Sequence, residues 1–269
     1  MEVLQAFVLG VVQGIAEFLP ISSSGHLVLV PALFGWERFA GNVAFDVLLH
    51  AASLSAVMVY FRRDLWGMVR AVLSTGAELA SERRLAWLIV AGTFVTGVIG
   101  LAFDDFFESL FHSPLWTGVF LLVTATFLTL AERLSHVRSH RPESMKLYHA
   151  LIIGLAQGAA IAPGISRAGA TISAGLATGL SREQAARFSF LLSTPIILLA
   201  TAKTAFDALD EGSTLPGPVA CIVGFAASAV ASYFAISWLL GYLKNRSLYP
   251  FAVYTAVVGT AVIIWQVAL

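Results

Sequence analysis

The stretch Leu9–Val30, LGVVQGIAEFLPISSSGHLVLV, places a carboxylate, three serines and a histidine inside an otherwise apolar run. On a helix, its small and polar residues recur at positions i, i+3, i+4 and i+7 and therefore share one face. These residues are Gly10, Gln13, Gly14 and Glu17. Polar groups at membrane depth are costly and usually functional. The stripe is thus expected to face protein or water rather than lipid.

The same stretch predicts a broken helix. Pro20 cannot continue a helix, and the serines that follow it stand where a second helix would take its N-terminal cap. Residues 2 to 34 are therefore predicted to form a helix, a polar bend and a second helix. Because each half is too short to cross a hydrocarbon core of roughly 30 Å, we interpret the pair as a re-entrant hairpin.

The composition excludes a soluble domain. Hydrophobic residues make up 58% of the 269 residues and charged residues only 12%, which is about half the charged fraction of soluble globular proteins. The net charge of zero argues against a nucleic acid partner. The single cysteine, Cys221, excludes an internal disulfide, and no cysteines have the spacing of a thiolate metal site.

Six longer apolar segments are predicted to cross the membrane, which makes the chain an all-α, polytopic integral membrane protein. They are residues 42–61, 85–103, 115–131, 186–206, 218–240 and 250–268. A second short broken pair covers residues 148–179 and is interrupted at Pro163 and Gly164. The chain is thus predicted to be one membrane domain over residues 1–269, with six spans and two re-entrant pairs.

The basic residues predict the orientation. If both broken pairs return to the side on which they start, all basic residues except Arg38, Arg167 and Lys203 share one face. The positive-inside rule makes that face cytoplasmic and puts both termini outside. The outer face then collects acidic residues, namely Glu2, Glu37, Asp104, Asp105, Glu108, Asp207, Asp210 and Glu211.

The two broken pairs are repeats of each other. A shift of 144 positions aligns them with identities that include Gln13 with Gln157 and Ser22 with Ser166. Because the first pair starts outside and the second in the cytoplasm, the halves, roughly 1–132 and 147–269, are predicted to be inverted repeats. Their two bends would then meet inside the membrane and bring their polar residues to one site.

Arg167 is the sharpest indication of chemistry at that site. An arginine beside a helix break at membrane depth needs an anionic partner. The partner is either Glu17, in a structural ion pair, or a phosphate group bound in bidentate geometry. Two helix N-termini opening at serine-rich bends would add backbone donors, which favours the anion site.

The other polar residues each have a plainer alternative. The serines could serve only as caps, and a lone His26 could be a satisfied buried histidine rather than a catalyst. Gln13 could simply tie the hairpins together by its amide. Asp46 and His50 share a helix face and are interpreted as support for the site rather than as catalysts. The glycine stripes of both pairs are interpreted as helix packing surfaces.

With these residues in view, the chain resembles the bacterial undecaprenyl-diphosphate phosphatase family of the bacitracin-resistance type, over nearly its whole length. The resemblance rests on QGIAEFLPISSSGH, residues 13–26, and on PGISRAGAT, residues 163–171. Two positions depart from the family pattern: Gln13 stands where many members have a second glutamate, and Ala168 replaces a serine.

The resemblance implies hydrolysis of undecaprenyl diphosphate to undecaprenyl phosphate in the bacterial cytoplasmic (inner) membrane, which recycles the carrier lipid for cell-wall synthesis. We therefore expect catalytic roles for four residues, with Glu17 activating the nucleophile or holding a divalent cation (Mg²⁺ or Ca²⁺). These are Glu17, Ser23, His26 and Arg167. Substrate-binding roles are expected for five more, namely Gln13, Ser22, Ser24, Ser166 and Thr171.

Three alternatives remain open at this point. The nucleophile could be Ser23 or a water molecule. Inverted repeats with broken helices are also transporter architecture, so a prenyl-phosphate flippase is the competing function. A lipid-binding scaffold without turnover is a third interpretation. The sequence is compatible with a homodimer.

Overall fold

A computed structural model describes residues 1–103, 106–107, 110, 114–135, 145–210 and 215–268, apart from the side chains of residues 204 and 207–210. Within these ranges the chain is helical, and a 3₁₀ turn, Ala77–Leu79, precedes the fifth helix. The long helices are α1 (Glu2–Ala16), α2 (Ser23–Phe34), α3 (Val43–Tyr60), α4 (Arg62–Leu73), α5 (Ala80–Ala102), α6 (Pro114–Ser135), α7 (Leu147–Ala159), α8 (Arg167–Ala177), α9 (Arg182–Asp210), α10 (Pro218–Leu243) and α11 (Tyr249–Ala268).

The predicted all-α membrane architecture is confirmed. Six helices in the described part of the chain are long and apolar enough to cross a membrane, and they match the six predicted segments. The protein is therefore a multi-pass membrane protein. Several charged residues used to predict its orientation lie outside the described residues or have undescribed side chains: Asp104, Asp105, Glu108, Arg138, Arg141, Asp207, Asp210 and Glu211.

Both predicted broken pairs form two short helices joined by a bend. In the first pair, α1 ends at Ala16 and α2 starts at Ser23. In the second, α7 ends at Ala159 and α8 starts at Arg167. The re-entrant path of the pairs and the inverted relation of residues 1–132 and 147–269 stay predictions.

The glycine stripes pack as expected. Gly10 and Gly14 bring α1 so close to α10 that an added Cβ would meet backbone atoms of Gly224 and Ser228. In the second pair, the stripe Gly154 and Gly158 makes the same kind of approach to α5. Small residues allow such close helix contacts in membranes. The first stripe thus packs on α10 and the second on α5.

The polar segment between the first two spans contains a helix, α4. Arg83 of α5 closes the C-terminal end of that helix. Its Nε donates to the carbonyl of Ala71 at 2.8 Å, and its Nη2 donates to the carbonyls of Ser74 at 2.7 Å and Gly76 at 2.8 Å. A cation at these carbonyls satisfies acceptors that the helix leaves open. Arg83 thus connects the end of α4 to the start of α5.

A buried ion pair joins three helices near the C-terminal end of α6. Glu132 is fully buried and accepts from Arg182 Nε at 2.8 Å and from Arg182 Nη2 at 2.5 Å. Its Oε1 also accepts from the backbone N–H of Leu248 at 2.7 Å, just before α11. A buried pair is tolerated when further hydrogen bonds satisfy its atoms. This arrangement ties α6, α9 and the start of α11 together.

Candidate active site

The carboxylate of Glu17 is the centre of the polar residues at the first bend. The backbone N–H of Glu17 still donates to the carbonyl of Gln13 at 2.9 Å, so α1 presents Glu17 at its very end. Oε2 of Glu17 accepts from Ser23 Oγ at 2.6 Å and from Gln13 Nε2 at 3.0 Å. The stripe predicted on α1 thus holds the carboxylate with a hydrogen-bond donor on the same face.

Arg167 of the second bend reaches the same carboxylate. Its Nη2 atom donates to Glu17 Oε1 at 2.8 Å and to the Glu17 backbone carbonyl at 3.2 Å. Its other terminal nitrogen, Nη1, is buried and has no hydrogen-bond partner among the described residues. A buried guanidinium nitrogen without an acceptor is costly. The ion pair with Glu17 therefore uses one guanidinium nitrogen and leaves the other without an acceptor among the described residues, and the predicted contact with a phosphate stays a prediction.

The backbone at Ser22 explains how Ser23 points at Glu17. Ser22 has φ 71° and is the only non-glycine residue with positive φ in the described chain. Such a conformation costs on the order of 1–3 kcal/mol and is found most often at functional sites. The Oγ of Ser22 accepts from the N–H of Gly25 at 3.4 Å, so this serine does act as the α2 cap. The strained turn places Ser23 at the first position of α2, half-buried in front of the buried Glu17.

Ser24 lies beside these groups without joining Glu17. Its Oγ is 3.4 Å from Ser22 Oγ. Like Ser23, it is only half-buried. Its predicted contact with substrate stays a prediction.

The second bend is built in a similar way and is held by α6. Ser166 caps α8 by accepting from the N–H of Gly169 at 3.0 Å. Thr124 of α6 accepts from the N–H of Ser166 at 3.0 Å and donates to the carbonyl of Gly164 at 3.1 Å. Gly164 has φ 95°, and an added Cβ there would meet Thr117, which explains why the break requires a glycine.

Thr171 lies one turn into α8, away from the bend. Its hydroxyl contacts the carbonyl oxygen of Arg167 at 2.7 Å and Ser189 Oγ at 2.6 Å. The side chain is fully buried. In the structure the Thr171 hydroxyl is thus bonded within α8 and to α9. Its predicted role as a substrate ligand stays a prediction.

The two histidines near the first bend have different neighbours. His50 of α3 places Nε2 3.6 Å from Glu17 Oε2, while its Nδ1 is 2.8 Å from the Asp46 carbonyl oxygen. His26 instead contacts Ser22 and Tyr254 and makes no hydrogen bond to Glu17 or Ser23. Sequence reasoning placed His50 in a supporting role and missed Tyr254, one of several hydroxyl side chains in the apolar final span.

A family model described as bacitracin resistance protein BacA matches residues 6–261, which is nearly the whole chain. The chain belongs to the BacA family. It is 45% identical to an undecaprenyl-diphosphatase from Rubrobacter xylanophilus, with 94% of each chain covered. It is 40% identical to an undecaprenyl-diphosphatase from Methanosphaera stadtmanae, with all of both chains covered, and 43% identical to one from Halothermothrix orenii, with 98% of each covered.

The two residues that depart from the pattern of the BacA family now have a structural setting. Gln13 donates an amide N–H to Glu17, so the glutamine supports a single carboxylate rather than adding a second one. Ala168 is buried in the first turn of α8, directly after Arg167. The Glu17 carboxylate is thus bonded to an amide, a hydroxyl and a guanidinium.

Proposed function

We propose that this BacA family protein hydrolyses undecaprenyl diphosphate to undecaprenyl phosphate and inorganic phosphate, and so recycles the carrier lipid. The observation that carries this proposal is the position of Glu17 between the Ser23 hydroxyl and Arg167, whose second nitrogen is buried and unpaired. The arrangement combines a hydroxyl bonded to a carboxylate with a guanidinium that has one N–H donor group without an acceptor, the kind of donor that a phosphate oxygen satisfies. The names of the relatives point to the same reaction.

The geometry supports Ser23 as the nucleophile. Glu17 Oε2 takes the proton of Ser23 Oγ as that oxygen attacks the terminal phosphorus, and undecaprenyl phosphate leaves with the bridging oxygen. Water then attacks the phosphoserine, its proton passes to a base at the site, and inorganic phosphate and the free serine are regenerated. Arg167 stabilises the charge on the phosphoryl oxygens in both steps. A positioned base contributes about 10² to 10⁴ in rate.

A divalent cation, Mg²⁺ or Ca²⁺, is part of the proposal. No group of three potential histidine, cysteine or carboxylate ligands occurs among the described residues. Mg²⁺ is commonly held by one or two carboxylates together with substrate phosphates and water. Glu17 would be the carboxylate ligand of such a site instead of accepting the Ser23 proton, and the diphosphate would provide further oxygens. The cation would supply charge neutralisation of the diphosphate.

Phosphate release by the purified protein in detergent tests the function. Because hydrolysis needs no second compartment, the protein given undecaprenyl diphosphate and Mg²⁺ should release inorganic phosphate and undecaprenyl phosphate in equal amounts. If the detergent protein releases no phosphate while the same protein in vesicles moves a prenyl phosphate between leaflets, the hydrolase proposal is wrong. The alternative of a flippase would then hold.

The orientation in the membrane is proposed from the distribution of basic residues, with both termini on the outer side of the bacterial inner membrane. Single cysteines in a Cys221→Ala background test it at two exposed positions. Glu37→Cys, between α2 and α3, should react with an impermeant thiol reagent in intact cells, and Glu78→Cys, between α4 and α5, should not. Inverse labelling would reverse the proposed orientation.

Homodimer formation is a further part of the proposal. The mass of the purified protein in detergent, measured by light scattering with the detergent contribution subtracted, should be twice that of one 28.7 kDa chain. A single-chain mass over a wide concentration range would reject the dimer.

A further inference from the structure

A hydrogen-bonded pair joins the first bend to the last helix. Nε2 of His26 lies 2.7 Å from the phenolic oxygen of Tyr254, although the two residues are 228 positions apart. The two rings are nearly parallel, with an interplanar angle of 11° and centroids 5.7 Å apart. Tyr254 is 42% exposed and His26 only 9%, so the phenol covers the outer side of the imidazole.

The contact of the second ring nitrogen of His26, Nδ1, determines which of the two nitrogens donates and which accepts. Nδ1 of His26 lies 2.7 Å from the backbone carbonyl oxygen of Ser22. A carbonyl oxygen can only accept, so Nδ1 carries a proton. In the neutral ring, Nε2 then has the lone pair and accepts from the Tyr254 hydroxyl. Both nitrogens are therefore held, one on each side of the ring.

The Ser22 carbonyl connects this pair to the strained turn. The same oxygen accepts from the backbone N–H of His26 at 3.3 Å, which is the first hydrogen bond of α2. Ser22 is also the residue with positive φ, and Ser23 follows it directly. A strained conformation persists only when the surrounding contacts overdetermine it. The imidazole is one of those contacts, because it holds the carbonyl whose orientation depends on the unusual backbone angles.

We infer that Tyr254 is a positioning residue for Ser23, acting through His26 and the Ser22 carbonyl. The phenol fixes the imidazole, the imidazole fixes the strained turn, and the turn directs the Ser23 hydroxyl to Glu17 at 2.6 Å. This inference rests on the proposed function only for its kinetic readout. Its structural readout is independent of turnover.

Tyr254→Phe tests the inference because it keeps the ring and removes only the hydroxyl. We expect kcat to fall about 10-fold, the rate equivalent of one neutral hydrogen bond, with KM for undecaprenyl diphosphate unchanged. Tyr249→Phe, the same substitution at the start of α11, is the matched control and should keep the wild-type kcat. A kcat of Tyr254→Phe equal to that of the control would overturn the inference.

A double mutant separates positioning from general packing. If Tyr254 acts through His26, then Tyr254→Phe should cause no further loss in a His26→Ala background. A loss that adds fully to that of His26→Ala would reject the connection.

The ¹⁵N spectrum of labelled histidine gives the readout that needs no turnover. The His26 resonances, assigned by their disappearance in His26→Ala, should show a proton on Nδ1 in the wild type. In Tyr254→Phe the Nε2 resonance should shift, because its hydrogen bond is lost, and it should stay in place in Tyr249→Phe. An Nε2 resonance unchanged by Tyr254→Phe would contradict the inference even if the protein hydrolysed no lipid.

Discussion

Arg167→Lys should lower kcat by about 10² to 10³, the usual cost of removing one preorganised donor of transition-state charge. A lysine ammonium can replace the arginine nitrogen that bonds to Glu17. It cannot also replace the second nitrogen, the buried Nη1 that lacks a partner. The charge and the ion pair would thus be kept while the contact to phosphate is lost. Initial rates of phosphate release at saturating lipid measure the effect.

The matched control for this change is Arg187→Lys. Arg187 pairs with Asp64 at the surface and is half-exposed. An exposed pair contributes little to stability, so the control should retain nearly wild-type turnover. Wild-type turnover by correctly folded Arg167→Lys protein would instead assign Arg167 to a structural ion pair alone.

Glu17→Gln is expected to lower kcat by about 10² to 10⁴, because it removes the base that accepts the Ser23 proton. The substitution keeps the size of the side chain but removes the negative charge between Ser23 and Arg167. Breaking a buried pair also destabilises a protein, by about 3–5 kcal/mol. Thermal unfolding in detergent must therefore accompany the rate measurement.

A second variant distinguishes lost chemistry from lost folding. Glu17→Asp retains the charge near Arg167 but withdraws the carboxylate from the Ser23 hydroxyl by about one methylene length. It should unfold close to the wild-type temperature and still lose most of the activity. Glu183→Gln is the surface control, since Glu183 makes only a long, exposed contact with Lys244 at 3.6 Å. Full activity in Glu17→Gln would remove Glu17 from the mechanism.

The helices could be predicted from the sequence because their causes are local. Length and apolarity predict the six spans, and proline, glycine and serine predict the two breaks. The meeting of Glu17 and Arg167 could also be anticipated, since each ionised group at membrane depth needs a partner of opposite charge. The structure places them 2.8 Å apart across 150 positions.

The contacts that hold the two bends could not be predicted in the same way. Tyr254 and Thr124 are each one hydroxyl in an apolar helix, and such hydroxyls usually mark an interface or bond to their own helix. Only the packing of α11 on α2 and of α6 on α8 gives them partners. Long-range partners of single polar groups leave no periodic pattern.

The rate of phosphate release by Ser23→Ala tests most directly whether the Glu17–Ser23 pair performs the hydrolysis. We expect a loss of at least about 10²-fold for Ser23→Ala and no further loss when Glu17→Gln is added, because the two residues serve one proton transfer. Ser55→Ala, which removes a hydroxyl bonded only to its own helix at Ala52, should remain active. Turnover of Ser23→Ala equal to that of Ser55→Ala would contradict the account.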